Sequence, residues 1–532
     1  MSQLMLFDFG QRKLVDLKEA STWASRYLNR KVTVSNISYL LQYGRIKKYD
    51  EHGRILVSLE ELKEYYDSFF RQLRSKELLE QPVNWHLSFD QYKEEERTKH
   101  VHRLHPYKGK FIPQLVEYFL DSHTDEFKRD VYFSSGDIVL DPFCGSGTTL
   151  VQANELGMHA IGVDVSSFNV LLSEVKVGKH NLAFITDMVH NLASKIEELR
   201  GVISVFEEHL SQELAIFNSQ YFPSPEYKRK VASKEIEEGR YAKDKEETFL
   251  SIYNKLVDKY QIKLRQDKDK TFLDKWFLDP VRKEIDIVAK EIKLITDTDA
   301  RKVLTVILSR TVRSCRATKH SDLATLKEPV ITTYYCKKHG KICKPLFSAS
   351  KWWDFYAKDT LSRLEQFNRL RTETFQVCLT GDSRRIDIYN EVKKKNIKFA
   401  EILQKDKIRG IFSSPPYVGL IDYHEQHAYA YEIFGFERND EAEIGSLSKG
   451  QGEKQRRAYV EDIVRVLINC RRFLQKGYDI FLVANDKFNL YPEIAKQAEM
   501  QIVNLFNRPV LNRVEKNRDN LYSETIFHLR QK

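Results

Sequence analysis

The stretch GDIVLDPFCGSGTTLVQANELGMHAIGVDVSS, residues 136–167, decides the fold. DIVLDPF and AIGVDV read as short strands, and TTLVQANELG between them reads as a helix closed by a glycine. Strand, helix and strand at this spacing make a βαβ unit, whose crossover requires parallel strands and so implies a parallel sheet. A second α/β pattern returns toward the C-terminus, with FQVCLTGDS (375–383), IRGIFSSPPY (408–417), DIFLVAND (479–486) and ETIFHL (524–529) as its strands. The sheet is therefore expected to be interrupted and later resumed.

The interruption, from about 178 to 370, has a different character. Met188, Val189, Leu192, Ile196 and Leu199 recur at helical spacing, and residues 235–270 are rich in both charges, which predicts a mostly helical insertion. Before the sheet, residues 15–66 alternate helix and turn: LVDLKEASTWASRYLN, then VSNISYLLQYGRIKKY, then the glycine-centred hairpin DEHGRILVS and the helix LEELKEYYDSFF. This order resembles the winged helix-turn-helix of MerR-like and excisionase-like proteins. The resemblance implies a DNA-binding module, with Ser35, Asn36, Tyr39 and Tyr43 on its second helix and Arg45, Lys47, Lys48 and Arg54 around the wing. A small helical cap with solvated charges is the alternative. Four segments result: a winged module at 1–80, a cofactor half at 81–180, a helical insertion at 181–370 and a catalytic half at 371–532.

Bulk properties allow this organisation. A chain of 532 residues exceeds what one core usually organises. Hydrophobic residues at 42% and charged residues at 30% are ordinary for a globular protein, and no apolar run could span a bilayer, so no membrane partner is expected. The first twenty residues, MSQLMLFDFGQRKLVDLKEA, lack a signal-peptide pattern, and six cysteines make no disulfide framework; a reducing cytoplasm is the expected location. A net charge of +10 favours a polyanionic partner only mildly at this size.

The turn Asp141-Pro-Phe-Cys-Gly-Ser-Gly-Thr-Thr149 sits between strand and helix, where glycines 145 and 147 let a ligand approach the backbone. It lacks the lysine of a P-loop and the third glycine of a dinucleotide fingerprint. Asp164, at the end of the next strand, can accept the ribose hydroxyls of an adenosyl group. DPFCGSGTT followed by GVDVS resembles the cofactor motifs of the DNA amino-methyltransferase family, and HPYKGKFIPQL, His105 to Leu115, resembles the segment that closes over the methionine end there. The resemblance implies a Rossmann-like sheet that binds S-adenosylmethionine. It places Phe143 against the cofactor, Asp141, Gly145, Gly147 and Thr148 at its methionine side, and Asp164 on the ribose, with His105, Lys110 and Phe111 in the closing segment. Asp382 of Gly381-Asp-Ser383 is implied to reach the adenine; a turn or helix cap is the other reading of that residue.

Ile411-Phe-Ser-Ser-Pro-Pro-Tyr417 carries the chemistry. An exocyclic amine is a poor nucleophile because its lone pair is delocalised, so its hydrogens must be held by acceptors while nitrogen faces the methyl group. Ser414 Oγ and the Pro415 carbonyl can be those acceptors, Pro416 fixes the turn, and Tyr417 can stack on a base extruded from the duplex. Orientation supplies most of the rate. In the family, Ser in Ser-Pro-Pro-Tyr accompanies N4-cytosine specificity, and Asp or Asn accompanies N6-adenine. Cytosine C5 methylation needs a cysteine nucleophile, and no Pro-Cys occurs at a strand end; Cys144 reads as a packed thiol. Asp422, Tyr423, His424 and His427 follow the motif and could line a pocket, the histidines suggesting a metal pair. Asn485 and Asp486 reach the site or cap a helix.

In the insertion, Arg310, Arg313, Arg316 and Lys319 repeat every third residue, a basic helical stripe suited to phosphates or a solvated face. Cys336-x2-His339-x3-Cys343 resembles half of a zinc knuckle that Cys315 or His320 would complete; buried free cysteines are the default. The motif blocks resemble the family order with a target-recognition domain in the middle, except that the insertion precedes Gly381-Asp-Ser383. The reading is a site-specific methyltransferase acting on N4 of cytosine in double-stranded DNA, with a separately encoded restriction endonuclease as a partner. N6-adenine methylation, RNA base methylation and a DNA-binding regulator with a degenerate enzyme fold are the alternatives.

Overall fold

A computed structural model of the chain describes residues 13–28, 32–42, 46–51, 54–76, 84–89, 92–107, 109–125, 128–320, 326–510 and 523–532. The chain divides into two compact units, Met1–Lys93 with Leu505–Ile526, and Glu94–Asn504 with Phe527–Lys532. No helix among the described residues is long and apolar enough to cross a membrane.

In the first unit, β1 (Leu14–Asp16) leads into helix Leu17–Tyr27, which Asp16 caps by accepting from the Lys18 and Glu19 N–H groups at 2.8 Å. Helix Val34–Gln42, β2 (Tyr49–Glu51), β3 (Arg54–Ser58) and helix Leu59–Lys76 follow. Ala20, Ala24, Ile37, Leu40, Val57 and Leu62 form its core. β3 pairs antiparallel with both β2 and β1, so Leu14-Val-Asp16, read from sequence as the start of a helix, instead makes a third strand. Lys47, Lys48 and Arg54 are exposed. Tyr43 and Arg45, and the side chains of Ser35, Asn36 and Tyr39, lie outside the described residues.

The remaining strands are β4 (Ile138–Asp141), β5 (His159–Asp164), β6 (Tyr334–Cys336), β7 (Lys341–Cys343), β8 (Gln376–Thr380), β9 (Ile408–Ser413), β10 (Leu474–Ala484), β11 (Met500–Pro509) and β12 (Ser523–Gln531). Seven of them form one sheet in the order β11-β12-β10-β9-β4-β5-β8, and β6 and β7 form a separate hairpin. β4 runs parallel to β5 on one side and to β9 on the other, with Leu140 opposite both Ile161 and Ile411. Ile138, Val139 and Leu140 are almost fully buried, as a strand covered on both faces demands. A Cβ at position 410 would sit 2.2 Å from the Asp479 carbonyl, so only glycine lets β9 lie between its neighbours.

The insertion is helical as expected: Leu182–Tyr221, Glu226–Ala232, Glu238–Tyr260, Phe272–Trp276, Asp279–Leu294, Thr298–Ser314 and Ser350–Asn368, with the β6–β7 hairpin before the last. Val189, Leu192 and Ile196 are buried, but Leu199 is exposed, two residues before the kink at Gly201. These helices belong to the same compact unit as β4, β5, β8, β9 and β10.

The basic stripe is corrected by the packing. Helix Thr298–Ser314 ends at Cys315, so Arg316 and Lys319 do not continue the face of Arg310 and Arg313. Arg310 is 5% exposed; its guanidinium donates to Thr360 Oγ1 at 2.6 Å and to Asp359, and stacks over the Tyr356 ring. It joins helix Thr298–Ser314 to helix Ser350–Asn368 and is withdrawn from any phosphate. Arg310→Ala is expected to lower the free energy of unfolding by about 2–3 kcal/mol, because it removes a buried guanidinium with its bonds to Thr360 and Asp359 and its packing on Tyr356, while Arg363 still pairs with Asp359; Lys319→Ala changes it by less than about 0.5 kcal/mol. Urea unfolding of the two variants checks the contrast.

Candidate active site

The site begins where β4 ends. Asp141 is buried at the strand terminus, and the turn that follows reaches helix Thr148–Glu155 through two left-handed glycines, Gly145 at φ +46° and Gly147 at φ +74°. A Cβ at Gly145 would meet Tyr107 Oη at 2.9 Å, and one at Gly147 would meet Ser173 Oγ at 2.7 Å, so the turn has no room for side chains. Cys144 packs under the turn, with its N–H on the Val163 carbonyl at 3.0 Å, and burial pushes its thiol well above the usual range. It is a packing residue, as read from sequence.

Asp164, at the end of β5, closes the turn from the neighbouring strand. Its Oδ2 accepts from the Gly145 N–H at 2.9 Å, and its Oδ1 accepts from the Ser166 N–H at 2.9 Å and Asn169 Nδ2 at 3.0 Å. Burial raises its pKa, and the three donors only partly offset that.

β9 brings the second motif beside the first. Ser413, the last residue of β9, donates from Oγ to Asp141 Oδ1 at 2.5 Å, and Thr149 Oγ1 donates to the Phe412 carbonyl at 3.3 Å. Ser414 Oγ donates to the Val483 carbonyl on β10 at 3.0 Å. That bond uses the hydroxyl hydrogen, so the lone pairs of Ser414 Oγ remain as acceptors. Burial pushes Asp141 up to about 6, against the bonds from Ser413, Thr149 and the Phe143 N–H.

These strand ends open on a cleft of about 820 Å³. Of the residues singled out in the sequence, Lys110, Phe111, Asp141, Phe143, Gly145, Thr148, Asp164, Asp382, Ser414 and Pro416 line it. Gly147 and Pro415 are buried beside lining residues of the cleft, next to Ser146 and Thr148 and between Ser414 and Pro416. Tyr417 lines an adjoining hollow of about 320 Å³ with Tyr459, Asn485, Asp486 and Phe488. The Asp486 carboxylate accepts from the Leu490 and Tyr491 N–H groups at 2.7 and 3.0 Å, so it caps a helix. Asp382 reaches the cleft while it accepts from the Arg384 N–H and guanidinium; burial would raise its pKa, but Arg384 holds it below the usual range. Lys110 points its Nζ at the His102 carbonyl at 2.6 Å, and burial, with Arg103 and Arg363, lowers it to about 8.

Two expectations need correction. His105 is fully buried outside the cleft wall, with Nε2 at 3.0 Å from Ser309 Oγ and 3.1 Å from Tyr429 Oη, so it ties its segment to helix Thr298–Ser314. His424 and His427 do not act as a pair: His424 Nδ1 bonds Glu443 at 2.7 Å, whereas His427 packs among His105, Tyr107 and Phe168. The sequence reading missed Tyr107, Ser166, Asn169 and Ser383, which line the cleft, and Ser413. Ser166 had a signal, since it caps helix Ser167–Val177 directly after GVDV. Ser146 Oγ and Asn169 Oδ1 are buried in the lining without a hydrogen-bond partner among the described residues.

Comparison with known proteins agrees with this arrangement. A family described as DNA methylase matches residues 22–174. The chain is 44% identical to the Type II methyltransferase M.MjaII of Methanocaldococcus jannaschii over 530 residues, 98% of this chain and 97% of the other. It is 29% identical to M.BsoBI of Geobacillus stearothermophilus over 213 residues, 36% and 40% of the two chains, and 28% identical to M.MvaI of Kocuria varians over 99 residues, 19% and 20%. Both are also Type II methyltransferases.

The buried carboxyl of Asp141 has a measurable consequence. Unfolded, it titrates near 3.8, and folded at about 6. Between these values the folded chain keeps a proton that the unfolded chain has released, so stability falls as pH rises through the window, by about 3 kcal/mol in all. Asp141→Asn keeps the acceptor for Ser413 without the charge. Urea midpoints from about pH 4 to 8 are expected to show the variant more stable than the parent above about pH 6, the difference closing toward about pH 4.

Proposed function

The chain belongs to the DNA amino-methyltransferase family, and we propose that it transfers a methyl group from S-adenosylmethionine to N4 of cytosine at a specific site in duplex DNA. The base assignment rests on position 414 being Ser, the residue that accompanies N4-cytosine specificity in the family; its Oγ lines the cleft with its hydrogen spent on the Val483 carbonyl, which leaves the acceptor that an amino group of either base requires.

The cleft suits the cofactor. Its lining combines apolar side chains with a few convergent polar groups, as small-molecule sites do. The Gly145 turn leaves the backbone open, and Ser146 Oγ and Asn169 Oδ1 supply unpartnered polar atoms. Asp164 has three of roughly four acceptor positions filled, so it takes one ribose hydroxyl, and the neighbouring Asn169 Oδ1 takes the other. Asp141 would face the cationic methionine end, Phe143 would pack on the cofactor, and Asp382 would lie toward the adenine. When bound, S-adenosylmethionine supplies an electrophilic methyl group on a sulfonium.

The protein's own part is orientation. Ser414 Oγ and the Pro415 carbonyl accept the two amino hydrogens, which turns the nitrogen lone pair toward the cleft. Tyr417 and its hollow with Phe488 offer a stacking face to a base drawn out of the duplex. Methylation of an exocyclic amine needs no thiol adduct to the ring, in keeping with the buried Cys144. The helical insertion and the N-terminal module, through Lys47 and Arg54 among others, hold the DNA. The Type II naming of the relatives supports a role as the modification partner of a separately encoded restriction endonuclease.

Incubation with labelled cofactor and mixed-sequence duplex DNA, followed by digestion and mass analysis of the nucleosides, is expected to yield N4-methylcytosine; N6-methyladenine would transfer the assignment to adenine. Ser414→Ala is expected to lower kcat by about 10- to 100-fold with cofactor Kd unchanged within about twofold. Asp164→Ala is expected to weaken cofactor binding by more than about tenfold, read by titration calorimetry without DNA.

A further inference from the structure

Six residues after helix Thr298–Ser314, His320 meets the hairpin β6–β7. Cys336 ends β6, His339 is in the turn, and Cys343 ends β7. One ligand atom from each of His320, Cys336, His339 and Cys343 lies within 4.8 Å of all the others. Cys336 Sγ is 3.7 Å from His320 Nδ1, and His339 Nδ1 is 3.4 Å from Cys343 Sγ. Around a tetrahedral zinc ion the sulfur-to-nitrogen edge is about 3.6 Å, given bonds of about 2.3 Å to sulfur and 2.0–2.1 Å to nitrogen. Cys315 is not part of the group; it caps its helix elsewhere.

We propose that His320, Cys336, His339 and Cys343 bind one structural zinc ion, a site distinct from the methyl-transfer cleft. Two thiols and two imidazoles are a borderline-soft set with no oxygen ligand, which selects zinc over magnesium or calcium. The turn is shaped for it: the His339 and Gly340 N–H groups both donate to the Cys336 carbonyl, at 3.0 and 2.7 Å, and Gly340 takes φ +63°. Four ligands close the coordination shell, so the ion has no open position and no chemistry of its own. The Tyr334 hydroxyl is 2.8 Å from His320 Nδ1, and zinc binding at that nitrogen replaces this hydrogen bond by a turn of the His320 side chain away from the hydroxyl.

The hairpin gains a further cross-link from such a site. Its strands are three residues each, and its own apolar cluster is Tyr334, Cys336 and Cys343 with Val330. A hairpin of that size does not hold itself in water. It is anchored on one side by Asn218, which exchanges bonds of 2.9 and 3.0 Å with the Ile342 backbone, and by Glu246, which accepts from the Tyr335 N–H at 3.1 Å. Zinc adds the other side, joining the hairpin to the segment that leaves helix Thr298–Ser314. The ion therefore stiffens the insertion, and it leaves the cofactor cleft alone.

The test is metal analysis of the full-length protein, purified without a metal-affinity step. One zinc per chain is expected, retained by Cys315→Ser and lost, to below about a tenth of an equivalent, in Cys336→Ser/Cys343→Ser. Cobalt substituted into the wild-type protein is expected to show tetrahedral d–d bands and a thiolate charge-transfer band, a readout that stands even where the double variant fails to fold. Zinc content below about a tenth per chain after dialysis against zinc, a cobalt spectrum without thiolate bands, retention of zinc by the double variant, a different metal in the site, or a Cys336–Cys343 disulfide in the intact mass would each overturn the assignment.

Discussion

The pairing of β4 with β9 is the constraint on which the rest of the molecule depends. Val139 and Leu140 lie opposite Gly410 and Ile411, and that register brings the turn after Asp141 beside the Ser413-Ser414-Pro-Pro corner. Parallel strands put both ends on the same edge of the sheet, which is where an α/β fold presents its ligands. The hydrogen bond from Ser413 to Asp141 spans 272 positions in the chain and joins the two motifs directly. Gly410 makes it feasible, because a side chain there would collide with the Asp479 carbonyl and push β9 out of line.

Burial of charge is the cost of that arrangement. Asp141 and Asp164 both sit where desolvation raises their pKa, and each is held by short-range donors from the turn it organises. Without a partner, two buried carboxylates oppose folding. With the proposed cationic, hydroxyl-bearing ligand in the cleft, the same groups would become binding determinants. The unpartnered Ser146 Oγ and Asn169 Oδ1 would do so as neutral groups.

The insertion shows how packing can reverse the meaning of a charge pattern. Arg310 looked available for phosphate, yet it is spent on Asp359, Thr360 and the Tyr356 ring, where it locks two helices together. His105 changed role in the same way, from cofactor contact to a buried tie between Ser309 and Tyr429. The cysteine-histidine hairpin moved in the opposite direction. Its spacing suggested half a metal site, and the fold supplied His320 as the fourth ligand in preference to Cys315.

Read alone, the sequence determined the βαβ unit, the resumption of the sheet after a helical insertion, and the two motifs that meet at the cleft. These are local: glycines 145 and 147, Asp164, Ser414 and the two prolines act through backbone conformation and short spacing, which a linear pattern records. What only the tertiary structure decided is which residues meet across the sheet. Ser413 meets Asp141 because β4 and β9 end side by side on the same edge of the sheet, and Asn169 and Ser383 reach the cleft because helix and strand ends converge there. The same holds for the exposure of Arg310 and the fate of Ser414's hydrogen, which the Val483 carbonyl on another strand takes up. Burial and hydrogen-bond partnership are properties of pairs distant in the chain, and periodicity within one segment carries no information about them.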